Sequence, residues 1–471
     1  MLQNKRAVIG TLMIGTSMAA IDSSIVNVSL PSIQEQFNTS LDDVSLVITA
    51  YMTTFLLCIP LTSWLKQRVG YYNLYMGSII IFLIGSMFCS LAKELPVLVV
   101  SRMIQAVGGG AISPTALAIL SESLPKQERG SAIGWWGIGN VMGPALGPTL
   151  GGVLTQYFGW ESIFYVNIPI GIIAIVMSAR YLRFLKKRPL TQPRFDFRGY
   201  LLFMAFVGML LFTVTSTSAR YGFFSWHFIL GVLLTLYFLW AFVRSARRPE
   251  PLLDLSVFRI AAFNRAFIIV AIRALALFGG MFFLPFLLQG LLGYSEVQSA
   301  LLLLPNALVM LFTRPVAGRL ADKGMIRNIS ITGIVLLSFS FVLFALINIG
   351  TAVGFIILSM IVRGLGISLL ISPVSTALLN SVNPAQTATA TSLTSLMQQL
   401  GGSIGIAISS SLHTYIYEFY LLKGETHNVA EHFALQDGFL FTSALILVTL
   451  IPAWKLPQVA RKKVKGKGAF G

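Results

Sequence analysis

Apolar runs of about twenty residues recur along the chain, separated by short polar stretches in which Lys and Arg are frequent. A helix advances 1.5 Å per residue, so about 20 mostly apolar residues cross the ~30 Å hydrocarbon layer of a bilayer. Fourteen stretches reach that length, near 8–30, 44–63, 74–91, 96–121, 132–157, 163–182, 199–217, 227–243, 263–292, 297–317, 329–349, 353–379, 390–413 and 438–454. The pattern predicts an all-α polytopic membrane protein. The first run follows Lys5 and Arg6 but is too long for the apolar core of a secretory signal. It carries Asp22 near its far end and leads to Pro31 without a small-residue cleavage site, so it is read as the first membrane helix.

Composition agrees with lipid as the solvent. The chain is 55% hydrophobic and 11% charged, with mean hydropathy +0.79, where a soluble domain carries roughly 25% charged residues. A net charge of +17 raises the question of nucleic acid, but that reading needs a basic face on a water-soluble domain, and no nucleic-acid partner is expected. Instead, 28 of the 34 Lys and Arg are assigned to the termini and the loops after helices 2, 4, 6, 8 and 10, three to helix interiors, and Lys93, Arg220 and Lys423 alone to the other side. That asymmetry predicts cytoplasmic termini. The cluster Arg461, Lys462, Lys463, Lys465 and Lys467 is read as a solvated tail against anionic lipid. Cys58 and Cys89 sit in apolar runs without metal-ligand spacing and are read as packing residues. His427, Glu431 and His432, placed in the last outer loop, are read as solvated rather than as a metal site, and the four histidines supply no catalytic cluster. No enzyme activity and no cofactor are expected.

The chain divides into a six-helix bundle over 1–185, cytoplasmic linkers with inserted helices 7 and 8 over 186–260, a second six-helix bundle over 261–456, and a basic tail over 457–471. Arg68 and Gly70 after helix 2 have an echo in Gly318, Arg319, Leu320, Ala321 and Asp322 after helix 10, the equivalent place in the other half. Parallel halves of this kind put a substrate site near the bilayer midplane at their interface.

Ionisable side chains in a bilayer core cost at least a few kcal/mol and need a partner or a function. Four are expected deep: Asp22 on helix 1, Arg102 on helix 4, Arg273 on helix 9 and Arg363 on helix 12. These are the first and fourth helices of each half. Counting from Pro31 and Pro96 places Asp22 about 13 Å and Arg102 about 10 Å in from the same side. A neighbouring arginine favours a charged carboxylate while burial favours the neutral acid, and such opposed effects suit a proton switch; the competing reading is a static ion pair joining two helices. Arg273 and Arg363 lie near the midplane without a carboxylate at that depth. They either bond to carbonyls and water or make the cavity select anionic or zwitterionic amphiphiles. Gln105, Gln398 and Gln399 add neutral hydrogen-bonding groups. Helix 5 carries Gly139, Gly143, Pro144, Gly147, Pro148, Gly151 and Gly152, a face of small residues that admits a neighbouring backbone, bent by two prolines.

These residues resemble the major facilitator superfamily in its 14-helix drug:proton antiporter branch (EmrB/QacA type). The run from Asp22 through Asn27 to Pro31 resembles the helix 1 signature, Arg102 to Gln105 with Gly108, Gly109 and Gly110 the helix 4 motif, and the run from Gly139 to Gly152 the antiporter motif of helix 5. The resemblance implies proton coupling through Asp22 and Arg102, a substrate cavity that includes Asn27, Gln105, Arg273, Arg363, Gln398 and Gln399, and gating loops at Arg68, Gly70, Gly318 and Asp322. The first gating loop departs from the family pattern, with Ser63 and Gln67 where a glycine and an acidic residue are expected. The implied protein is a monomeric proton-driven exporter of amphipathic small molecules in a bacterial inner membrane, with the proton gradient as its energy source and a periplasmic adaptor where the cell has two membranes. Exporters of one endogenous metabolite and uptake symporters share the framework.

Overall fold

A computed structural model describes residues 4–186, 194–217 and 225–457, and within them the backbone is helical with no strand. The first half contains α1 (Lys5–Phe37), α2 (Leu41–Cys58), α3 (Leu61–Ser90), α4 (Leu95–Ser123), α5 (Arg129–Phe158) and α6 (Ser162–Tyr181). Next come α7 (Phe197–Leu211), which runs into a π turn over Phe212–Thr217, and α8 (Trp226–Ser245). The second half contains α9 (Ala261–Leu291), α10 (Glu296–Asp322), α11 (Ile326–Ala345), α12 (Val353–Ser381), α13 (Thr387–Leu422) and α14 (His427–Trp454). Among the described residues, eleven helices are long and apolar enough to cross a membrane; α2 adds a shorter apolar stretch, Leu46–Cys58. Glycine dilutes α5 and Ser and Thr dilute α13. The chain is a multi-pass membrane protein.

Local sequence sets the helix ends. Ser40 and Ser225 accept from the backbone N–H groups of Asp43 and Phe228, and Ser295 with Gln298 forms a reciprocal capping box at α10. Asn38 ends α1 in the left-handed region at φ 47, a conformation that asparagine tolerates better than most residues.

The two halves repeat one packing scheme. In the first, α1 packs on α5 while α2 and α3 pack on α4; in the second, α9 packs on α13 while α10 and α11 pack on α12. The halves meet chiefly where α5 lies against α10, with α13 touching α3 and α4. The pair α7 and α8 stands beside them and packs mostly on itself, through Gly231 on Thr213 and Phe203 on Phe242 at 5.6 Å between ring centroids. Its outer face exposes Trp226, Leu233, Tyr237 and Trp240. Asp196 ties this pair to the second linker, accepting from Gly199 N at 2.8 Å and Leu252 N at 3.2 Å.

Three boundaries differ from the hydropathy reading. Pro31 does not end α1, because the residues beyond it supply a further helical stretch to Phe37; Asp22 therefore lies about 22 Å from that end by the rise per residue, deeper than the count from Pro31 implied. Positions 64–69, read as loop, are helical, and Gly70 alone within α3 departs from helical geometry, its φ of 77 lying in the region that glycine adopts without a Cβ clash. The last outer loop shrinks to 423–426, so His427 and His432 stand on the first turns of α14. Most of the basic tail, and 187–193 of the first linker, lie outside the described residues.

Candidate functional site

Asp22, halfway along α1, is fully buried and receives donors from two other helices. Arg102 of α4 donates Nη1 to Oδ2 at 2.7 Å; Gln105, one turn along α4, donates Nε2 to Oδ1 at 2.8 Å; Asn167 of α6 donates Nδ2 to the same oxygen at 2.7 Å. Arg102 and Gln105 share one helix face because residues three apart are neighbours on a helix. Nη1 also donates to Gln105 Oε1. Ser86 of α3 accepts from Gln105 Nε2 at 2.7 Å and from Asn167 Nδ2 at 3.3 Å. The guanidinium lies over the Tyr51 ring at 3.9 Å, a contact that stabilises a desolvated cation. Four helices are therefore held by one carboxylate and its donors. An anionic carboxylate accepts from all three donors, whereas a protonated one carries an O–H that must displace one of them.

The glycine face of α5 lies along α1. A methyl group at Gly139 would stand 2.9 Å from Met13 O, at Gly143 it would overlap Ala20 O, and at Gly147 it would overlap Ser24 Oγ, while Gly152 has open space. Ser24 Oγ donates to Gly143 O at 2.7 Å, and Trp136 Nε1 to Thr16 Oγ1 at 2.8 Å. Gly151 is buried; the side chains of Pro144, Pro148 and Asn27 lie outside the described residues.

At the end of the molecule that bears Lys5, the halves are joined. Asp322 Oδ1 and Oδ2 accept from Gly130 N and Ser131 N at 2.7 Å each, so the carboxylate caps the start of α5 and complements its dipole. Gly318 and Gly130 touch backbone to backbone. Arg129 Nη1 donates to Asn380 Oδ1 at 3.0 Å, Thr62 Oγ1 and Ser392 Oγ share a hydrogen at 2.6 Å, and Ser63 Oγ meets Thr389 Oγ1 at 3.0 Å. Arg68, by contrast, is exposed and stacks on Trp64 of its own helix at 5.2 Å. Of the two related gating segments, the second crosses the halves through the Asp322 carboxylate, while the first crosses through the hydroxyls of Thr62 and Ser63 and leaves Arg68 on the surface.

The sequence profile described as Major Facilitator Superfamily matches residues 12–406. The chain belongs to the major facilitator superfamily. A multidrug resistance protein B homolog of Mycobacterium tuberculosis is 30% identical to this facilitator, over 95% of the chain and 89% of that protein. Multidrug export protein EmrB of Escherichia coli K12 is 29% identical over 86% and 79%, and riboflavin transporter RibZ of Clostridioides difficile 29% over 96% and 97%. These relatives place the facilitator in the drug:proton antiporter branch. Its fold matches the human organic anion transporter MFSD10 (TETRAN) with a TM-score of 0.71 at 14% identity, covering 95% and 99% of the two chains. The neighbours are transporters, and the facilitator is not an enzyme.

In the second half of this facilitator, Arg273 of α9 and Arg363 of α12 are buried. Gln398 and Gln399 of α13 are half-buried, and Gln399 reaches Met52 of α2 at 3.8 Å across the halves. Sequence reasoning missed Tyr51, Ser86 and Asn167, which are neutral and carry no signal of depth. It also missed Arg314, a fifth buried charge on α10, whose closeness to the end of the apolar run hid it. Replacing Asn167 by Leu removes one donor to Asp22 and keeps the number and branching of the side-chain heavy atoms; thermal unfolding is expected to show a loss of about 1–3 kcal/mol, with transport slowed but present. Unchanged stability and transport would remove Asn167 from the site.

Proposed function

We propose that this facilitator exports amphipathic small molecules from the cytoplasm in exchange for protons. The buried Asp22 carboxylate with its donors from α4 and α6 carries the proposal. It is a proton acceptor inside apolar surroundings whose protonation must break a contact between helices, so loading it changes how α1, α4 and α6 fit together. Rocking of the two halves then exposes the midplane alternately to each side, with the proton gradient supplying the energy. All fourteen helices cross the bacterial inner membrane, both termini lie in the cytoplasm where the basic loops concentrate, and the protein works as a monomer, with an adaptor in cells that have two membranes. Multidrug export by two of the relatives supports a broad substrate range. RibZ, named for a single vitamin, supports the second reading, an exporter of one metabolite.

The test uses proteoliposomes containing a pH dye, loaded with labelled amphipathic anions or cations and acidified outside. Antiport speeds efflux and acidifies the interior. A symporter would instead be slowed and would carry protons outward, and efflux indifferent to the gradient would end the proton-coupled reading.

A further inference from the structure

Three arginines of the second half are buried without a counter-charge. Arg273, Arg314 and Arg363 are 4%, 6% and 5% exposed, and the Nε of each is buried and unbonded. No acidic side chain lies within 4.0 Å of any of them among the described residues. The one deep carboxylate, Asp22, is committed to Arg102 in the other half. By the rise per residue along α10, α9 and α12 they stand about 12, 18 and 27 Å from the joined end, as a column rather than a cluster. Arg314 stands near enough to Arg273 to feel its charge.

Like charges buried together repel, and each costs at least a few kcal/mol to hold in apolar surroundings. A static structural role would supply a carboxylate, as the first half does for Arg102. Here the recorded partner is neutral: Arg314 Nη1 donates at 2.5 Å to the carbonyl oxygen of Gly137, on α5 of the opposite half. That carbonyl already belongs to the helix's own hydrogen-bond ladder, so Arg314 can leave it without orphaning a buried acceptor. The contact sits in the same α5–α10 seam as Gly130, Gly318 and Asp322. A guanidinium fork is best satisfied by a planar anion with two oxygens.

We propose that Arg314 and Arg273 form the recognition site for the carboxylate or sulfonate of an organic anion, with Arg363 further along the same column, and that Arg314 links its occupancy to opening of the joined end. An anion that draws Arg314 from Gly137 removes a cross-half bond and offsets one of the three positive charges of the column. The inference names the substrate class of the exporter reading and rests on that reading for the direction of transport alone.

Binding without any gradient tests it. Purified full-length protein in detergent is titrated with labelled 1-naphthalenesulfonate and with a cation built on the same ring, (1-naphthylmethyl)trimethylammonium. The wild type is expected to bind the anion at least about tenfold more tightly, and Arg314→Gln and Arg273→Gln each to weaken the anion about tenfold or more, as loss of a charge-assisted bond implies, with Arg363→Gln weakening it less and cation binding moved less than about twofold. Arg314→Lys, which keeps the charge, is expected to recover part of the affinity and guards against a folding defect. A second readout joins the halves by a disulfide between Ser63→Cys and Thr389→Cys. Naphthalenesulfonate is expected to slow its formation when Arg314 is present and to have no effect with Arg314→Gln. Equal affinity for both ions, retention of anion affinity in both Arg314→Gln and Arg273→Gln, or disulfide formation indifferent to the anion would each overturn the proposal. A protein that binds the anion but moves no protons in the liposome experiment would keep the site and lose the exporter reading.

Discussion

Replacing Asp22 by Asn is expected to reduce gradient-driven export to the level of protein-free vesicles. The amide keeps nearly the shape of the carboxylate and can still accept from Gln105 and Asn167, but it can neither take up a proton nor balance Arg102. Leaving Arg102 buried without its partner costs about 3–5 kcal/mol, so the single variant also loses thermal stability, and lost transport alone would not separate a proton carrier from a static brace. The double variant Asp22→Asn/Arg102→Gln separates them. With both charges gone the uncompensated cation is removed, and thermal unfolding is expected to recover most of the loss. Transport stays at background if Asp22 carries the proton. If transport returns with stability, the pair is a brace and the proton route runs elsewhere.

The second large effect is expected at Gly318. Its Cα faces the Gly130 carbonyl so closely that a side chain has no space, and the obstacle is backbone rather than a movable side chain. Gly318→Val should force α5 and α10 apart by roughly an ångström or more, lengthening both bonds of Asp322 to the start of α5. The joined end then fails to close, and alternating access stops with one side open. Each half keeps its own packing, so thermal unfolding should move little, while the Ser63→Cys/Thr389→Cys disulfide should form at least several-fold more slowly. Gly143→Val gives the contrast. It crowds Ala20 on α1 within one half, and overpacking there costs about 1–3 kcal/mol or more, seen as a lower unfolding temperature. Normal disulfide formation in Gly318→Val would mean that the seam is looser than its geometry indicates.

Hydropathy located the helices because lipid leaves a strong, continuous signal, and the place of Asp22 and Arg102 in it exposed their pairing, since charge in an apolar run is conspicuous. Boundaries were less legible. Pro31 reads as a stop in sequence, since a proline inside a helix forfeits one backbone donor and crowds the carbonyl four residues before it, yet α1 continues past it. Asn167 and Ser86 complete the Asp22 network but resemble interhelical polar residues anywhere, and their meeting depends on how α3 and α6 rotate against α1. Arg314 was hidden for a related reason. Three positions from the end of the 297–317 run, it reads by sequence as a charge at a helix end, and only the seating of α10 against α5 puts it inside. The glycine spacing of α5 announced close packing without naming α1 as the partner.

The hydroxyls between Thr62 and Ser392 bear on the speed of the cycle. Thr62 Oγ1 also reaches Ile59 O at 2.7 Å, in the turn between α2 and α3, and Ser392 Oγ reaches Ala388 O at 2.8 Å within α13. When the halves part, both groups fall back on these carbonyls, so this part of the seam separates without a desolvated donor left behind and without water having to enter first. Such a seal is a low activation barrier and is insensitive to ionic strength, unlike one made of ion pairs. Parting of these two hydroxyls should therefore respond little to added salt, whereas the contacts that Asp322 and Arg129 make in the same seam carry charge.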